Sequence, residues 1–143
     1  MDRISKEARS RNMARIKSRG NRTTEKRLRA LLAAHGFRGW HVQPQLDGNP
    51  DFAFPRLRVA VFVDGCFWHG CAHCGHIPKS NQKYWKAKIS RNMQRDRSNT
   101  RRLRRLGWSV VRFWEHELKG NARSNALRRL RRVLKGRVIS ARR

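Results

Sequence analysis

Acidic side chains are scarce in this chain. Nine Asp and Glu stand against 36 Lys and Arg in 143 residues, giving a formal net charge of +27 and a pI of about 12.0. Such an imbalance repels itself in a compact state unless a polyanion offsets it. Nucleic acid fits that role, bound through phosphate neutralisation and counterion release. The alternatives are an anionic membrane surface or a basic disordered tail. A tail does not account for basic residues that run from Arg3 to Arg143 among a regular apolar pattern. Long apolar runs are also missing: none approaches the roughly 20 residues of a membrane-spanning helix. The N-terminus carries charges where a signal peptide needs an apolar stretch. A soluble, cytoplasmic protein with no membrane partner is expected. There is no internal repeat and no Pro/Gly/Ser linker, so one domain with a modest core is expected, and a structural metal would help to hold it. Cysteine is rare as well. The three thiols are an odd number, and in a reducing compartment clustered cysteines are metal ligands more often than disulfides.

Residues 1–22 are basic and polar and read as an arm or short helix that orders on DNA, ahead of a single domain over 23–143. From Thr24 to His35, Leu28, Leu31 and Leu32 have helical spacing, Glu25 falls in the first turn, and Gly36 suits the position after a helix end. Phe37 to Gln43 reads as a strand. Asp51–Phe54 and Arg58–Val63 read as two more, joined by a turn at Pro55. Val59, Val61 and Val63 alternate with Ala60 and Phe62, so both faces of the last strand are apolar and it is expected to be central. A long helix is predicted over Lys83–Leu106, closed by Gly107, then a strand over Trp108–Trp114 and a helix carrying Leu127, Leu130, Val133 and Leu134. The expected fold is an α/β sandwich around a small mixed sheet.

The most informative segment is Asp64–Cys74, DGCFWHGCAHC, which holds all three cysteines. Tetrahedral zinc takes four thiolate or imidazole ligands, and Cys66, Cys71 and Cys74 offer three at C-x4-C-x2-C spacing. His116 is the chosen fourth, closing the site from beyond the Trp108–Trp114 strand. His73 is a rival that needs a cramped chelate beside Cys74, and His76 is a weaker one. A closed Cys₃His set makes the zinc structural. The carboxylates point to a second metal. Hydrolysis of a phosphodiester with Mg²⁺ needs acidic ligands that hold the ion against the phosphate. Asp51 opens one strand and Asp64 ends the next, so a hairpin brings them to the same end of the sheet. Two acids capping surface turns is the plainer reading. The pattern P-D-x12-D-x-C is similar to the PD-(D/E)xK nuclease core, with Cys66 in place of its Lys. Phe67 and Trp68, squeezed between Cys66 and His69, cannot both face a zinc-stapled loop, and exposed aromatics can enter a base stack. Trp85 could join them or pack in the core. His69 is a general acid/base near the metal or a hydrogen-bonder within the loop.

Together these segments resemble the very-short-patch repair (Vsr) DNA mismatch endonucleases over nearly the whole chain. SRNMARIKSRG and TEKRLRALL resemble the N-terminal arm and first helix, NPDFAFP and VFVDGCFWH the catalytic strands and aromatic loop, YWKAKISRNMQRDR and LGWSVVRFWE the long helix and final strand. The resemblance implies a restriction-endonuclease-like, PD-(D/E)xK-type fold with a structural Zn²⁺. It implies Mg²⁺-dependent nicking 5′ of the thymine in a T:G mismatch left by deamination of 5-methylcytosine. By position it implies Asp51 and the main-chain carbonyl of Val63 as Mg²⁺ ligands. It places Glu25 and His69 in the water and proton network, Phe67, Trp68 and Trp85 as the aromatics that wedge into DNA, and Cys66, Cys71, Cys74 and His116 on zinc. Two departures stand out. Val63-Asp64 replaces a Thr-His pair, so Asp64 is expected to ligate the ion or orient water, and thiolate and imidazole are exchanged at Cys71 and His116. The expected partner is double-stranded DNA with a T:G mismatch, bound by a monomer, with mismatch-repair scaffold proteins as possible recruiters. The alternatives are a Vsr-like nicking or restriction-type enzyme with another target and a non-catalytic zinc protein that binds distorted DNA.

Overall fold

The computed structural model describes residues 24–42, 44–67, 70–72 and 77–141. The 1–22 arm lies outside this range, as do Trp68, His69, His73, Cys74 and His76. The sheet has four strands in the order β1 (His41–Val42), β2 (Phe52–Phe54), β3 (Val59–Asp64) and β4 (Ser109–Trp114). β1 with β2 and β2 with β3 pair antiparallel, with Phe52 opposite Val61. β3 and β4 run parallel, with Val59 beside Ser109 and Asp64 beside Trp114. Parallel neighbours need a crossover connection, and the helix α2 (Gln82–Arg105) supplies it. The sheet is therefore small and mixed, and β3 is central and buried along its whole length.

Helices cover both faces. Helix α1, residues 24–34, and helix α3 (Ala122–Ala141) lie on one face, where Leu28, Leu32, Leu127 and Leu130 close over Phe52, Val59, Val61, Val63 and Phe113. On the other face α2 places Leu103 against Ala60 and Phe62. The alternation of β3 thus feeds two cores, as its two apolar faces imply. Gly107 ends α2 in the left-handed region at φ 91°, with its amide bonded to the carbonyl of Arg104 and that of Trp108 to Leu103. This double closure is the arrangement that favours glycine after a helix.

The first strand differs from expectation. Of Phe37–Gln43 only His41–Val42 pairs in the sheet, and Gln43 is outside the described residues. Gly39 at φ 78° bends the chain, and the Trp40 indole donates to the Phe37 carbonyl at 3.1 Å. The apolar residues that suggested a strand are a turn packed on the core, with Trp40 edge-to-face on Phe52. The other boundaries agree to within a residue or two. Among the described residues no helix is long and apolar enough to cross a membrane.

Candidate active site and metal cluster

The sequence places its chemistry at one end of the sheet, where β2 begins and β3 and β4 finish. Asp51 directly precedes β2, and its Oδ2 accepts a hydrogen bond from the Val63 amide at 2.7 Å. The β2–β3 register, continued by two rungs, sets Val63 opposite Pro50. In an antiparallel pair a residue's N–H and C=O face the same neighbour, and a proline has no N–H to offer in return. The Val63 carbonyl therefore faces the same gap as the Asp51 carboxylate. A carboxylate and a main-chain carbonyl at a strand end are the hard oxygen donors that Mg²⁺ takes.

Asp64 shares this end of the sheet but is held differently. It is 7% exposed, and its Oδ1 and Oδ2 accept from Arg112 Nη1 at 3.0 and 3.2 Å. The hairpin brings the two acids to the same end as expected, with Asp51 on a backbone amide and Asp64 on a guanidinium. Glu25 is half-buried in the first described turn of α1.

Three sulfur and nitrogen donors meet just beyond. Cys66 Sγ is 3.3 Å and Cys71 Sγ 3.7 Å from His116 Nδ1, and the three atoms lie within 4.8 Å of one another. Ligands of a tetrahedral zinc stand about 3.5–3.8 Å apart, given Zn–S near 2.3 Å and Zn–N near 2.0 Å. The group fits that ion, and thiolates with an imidazole select zinc over a hard cation such as Mg²⁺. The local chain explains the fit. The Cys71 amide donates to the Cys66 carbonyl at 2.9 Å, closing a tight loop. At Gly70 (φ 70°) a β-carbon would stand 2.7 Å from Met93 Sδ and 2.9 Å from Ile89 Cγ2, so only glycine lets the loop sit against α2. His116 arrives on a 3₁₀ turn, Glu115–Leu118, which follows β4. That turn is secured by β4 and by α3. Glu117 accepts from the Trp114 amide at 2.9 Å and from Arg129 of α3 at 3.3 Å, and Arg129 also bonds the Arg112 carbonyl.

The aromatics divide by burial. Trp85 is 5% exposed and packs edge-to-face on Phe67, with ring centres 5.4 Å apart. Phe67 is half-buried. Among the described residues the ring that faces solvent is Tyr84, 51% exposed and 5.1 Å from Trp85, with Lys88 Nζ 5.8 Å from its ring centre. Sequence reasoning passed over Tyr84 and Arg112. Tyr84 was visible as the aromatic before Trp85 on the same turn, whereas nothing in the spacing tied Arg112 to Asp64.

Comparison with known proteins places these features. Residues 1–76 match the family model of the DNA mismatch endonuclease Vsr. The chain is 39% identical over 117 residues to the DNA mismatch endonuclease Vsr of Escherichia coli, covering 80% of this chain and 74% of that protein. It is 40% identical over 134 residues to the type II nicking enzyme V.XorIIP of Xanthomonas oryzae, covering 93% and 96%. With the type II nicking enzyme V.NaeI of Lentzea aerocolonigenes it is 40% identical over 114 residues, covering 76% and 68%.

Proposed function

The chain belongs to the Vsr family of DNA mismatch endonucleases, and from that premise we propose that it nicks duplex DNA on the 5′ side of the thymine in a T:G mismatch, using Mg²⁺. The observation that carries the reading is the junction of Asp51 with Val63, a carboxylate fixed at 2.7 Å beside a carbonyl that faces a proline. Those two groups would hold the cation, since a carboxylate can accept at both of its oxygens. Mg²⁺ in such a site supplies activation of water and stabilisation of the leaving oxygen. Glu25 and His69 would orient that water and move its proton. The fold as a small α/β sandwich with an acid at the mouth of an antiparallel hairpin suits a restriction-endonuclease-like, PD-(D/E)xK-type nuclease.

Cys66, Cys71 and His116 would hold Zn²⁺, with Cys74 completing four ligands. The loop that carries three of these ligands also carries Phe67 and Trp68, so the metal would stiffen the aromatics that enter the stack. Trp85, buried behind Phe67, supports the wedge, and Tyr84 extends its outer surface. The 1–22 arm and the basic helices would contact phosphates, in the bacterial cytoplasm where the nucleoid lies.

The test is nicking of labelled T:G and T:A duplexes with Mg²⁺. A strong preference for T:G is expected, and equal cutting of both overturns the mismatch reading in favour of a general nicking endonuclease. The type II nicking enzymes among the relatives support a second reading, in which the flanking sequence differs from that of the Escherichia coli protein. T:G duplexes in varied contexts, scored for nicking, separate the two.

A further inference from the structure

Arg112 occupies a place where the sheet expects an apolar side chain. It follows Val111 and precedes Phe113, both in the core under α1 and α3, and so turns to the α2 face beside Phe62. There its guanidinium lies 3.9 Å from the centre of the Phe62 ring. All three of its nitrogens have partners. Nε donates to Thr100 Oγ1 at 2.8 Å, Nη2 to the Asp96 carbonyl at 3.2 Å, and Nη1 to both oxygens of Asp64. The Asp64 side chain is 9% exposed and that of Arg112 21%. One planar group thereby joins the end of β3, the middle of β4 and the sheet-facing side of α2. A lysine, with one nitrogen, could not span the three.

We infer that Arg112 is a positioning residue for the metal-binding end of β3, acting through Asp64. Asp64 follows Val63, whose amide holds Asp51 and whose carbonyl faces the same gap. Fixing Asp64 fixes the rung on which those donors converge. The same contact settles how the departure at Val63-Asp64 works. Both oxygens of Asp64 accept from the guanidinium, so a cation on this carboxylate would compete with Arg112 for the same oxygens and stand close to its charge. Asp64 and Arg112 act as one unit, and the ion is left to Asp51 and Val63. This inference rests on the reading of Asp51 as a Mg²⁺ ligand.

The experiment measures nicking of a T:G duplex against Mg²⁺ concentration for Arg112→Lys, Arg112→Met, Asp64→Asn and the double variant Arg112→Met with Asp64→Leu. Duplex affinity without Mg²⁺, the thermal midpoint and zinc content are followed alongside. Groups that orient metal ligands typically change metal affinity or activity about 10- to 100-fold. Arg112→Met and Asp64→Asn should each raise the Mg²⁺ concentration for half-maximal rate by about tenfold or more. Duplex affinity should be unchanged. Arg112→Lys should fall between wild type and Arg112→Met, and the double variant should regain part of what either single change loses, because neither charge is then stranded. If Asp64→Asn abolishes nicking while both Arg112 variants keep the wild-type Mg²⁺ dependence, Asp64 is itself a ligand and the inference is overturned. It is equally overturned if every variant lowers only the thermal midpoint. Should Arg112→Met not fold, Arg112→Lys and Asp64→Asn decide on the same terms. Nicking that survives in Asp51→Asn would instead remove the reading of Asp51, independently of how Arg112 behaves.

Discussion

Replacing Asp51 with Asn separates two jobs that one carboxylate performs. The Asn side-chain oxygen can still accept from the Val63 amide, which Asp51 does at 2.7 Å. What is lost is the charge. A hydrogen bond to an ionised acceptor contributes roughly 1.5–3 kcal/mol and a neutral one about 0.5–1.5 kcal/mol, so the fold should lose about 1 kcal/mol. Catalysis should lose far more. A metal ion supplies several kcal/mol of charge stabilisation, and about 4 kcal/mol is a factor of roughly 10³ in rate. Duplex binding without Mg²⁺ should hold or tighten, because a charge that repels phosphate is gone. At about 6 Å and an effective dielectric between 20 and 80, that repulsion is roughly 0.7–2.8 kcal/mol. Asp51→Ala adds the cost of a stranded Val63 amide, about 1–3 kcal/mol, and should melt measurably lower than Asp51→Asn. Single-turnover nicking, fluorescence anisotropy and thermal melting read the three quantities. Nicking by Asp51→Asn within tenfold of wild type would refute the assignment. Equal melting of the Asn and Ala variants would show that the bond to Val63 contributes nothing.

Other outcomes follow from the same geometry. Purified protein should hold about one zinc per chain, and Cys71→Ser or chelation should lower the thermal midpoint strongly; a metal-free preparation with an unchanged midpoint would return Cys66, Cys71 and His116 to plain packing. Duplex affinity should fall about 10³- to 10⁵-fold between 50 and 200 mM salt if the basic surface contacts on the order of six to ten phosphates, and a flat response would assign most of the charge to another partner. Trp68→Ala should reduce nicking at T:G about tenfold or more, since stacking contributes roughly 1–3 kcal/mol per base, with little change in binding to undamaged duplex. Tyr84→Ala, on an exposed ring, should leave the unfolding free energy within about 0.5 kcal/mol of wild type, whereas Trp85→Ala should destabilise by about 3–5 kcal/mol as a buried truncation.

Much of the fold could be read from periodicity because its elements obey their local rules. Valines alternating on two apolar faces mark β3 as central, and it is paired on both sides. Leu28, Leu31 and Leu32 give α1, and Gly36 and Gly107 stop their helices in the left-handed region. Phe37–Val42 misled because aromatics near a glycine have the composition of a strand, while their conformation is set by Gly39 and the Trp40–Phe37 bond. At the site, the placement of His116 with Cys66 and Cys71 follows from strand order, since residues after two adjacent parallel strands emerge side by side. The clamp of Arg112 on Asp64 spans 48 residues and three elements, and no local pattern records it. Trp85 and Tyr84 show the same limit on a smaller scale. Both are aromatic and adjacent, and only the packing of α2 decides which is covered.

The three donors of the cluster, two before α2 and one after it, also impose an order in time. Cys66 and Cys71 leave the ribosome some 45 residues before His116, and β3 has its parallel neighbour only when β4 has followed. Domains are made N-terminal end first, so the Asp51–Val63 hairpin is complete while the three-donor cluster still lacks its imidazole. The end of the sheet that carries Asp51 and the cluster therefore cannot close until about four-fifths of the chain has been made. A nascent fragment carries Asp51 and Asp64 without Arg112 and His116, the residues that later brace this end of the sheet.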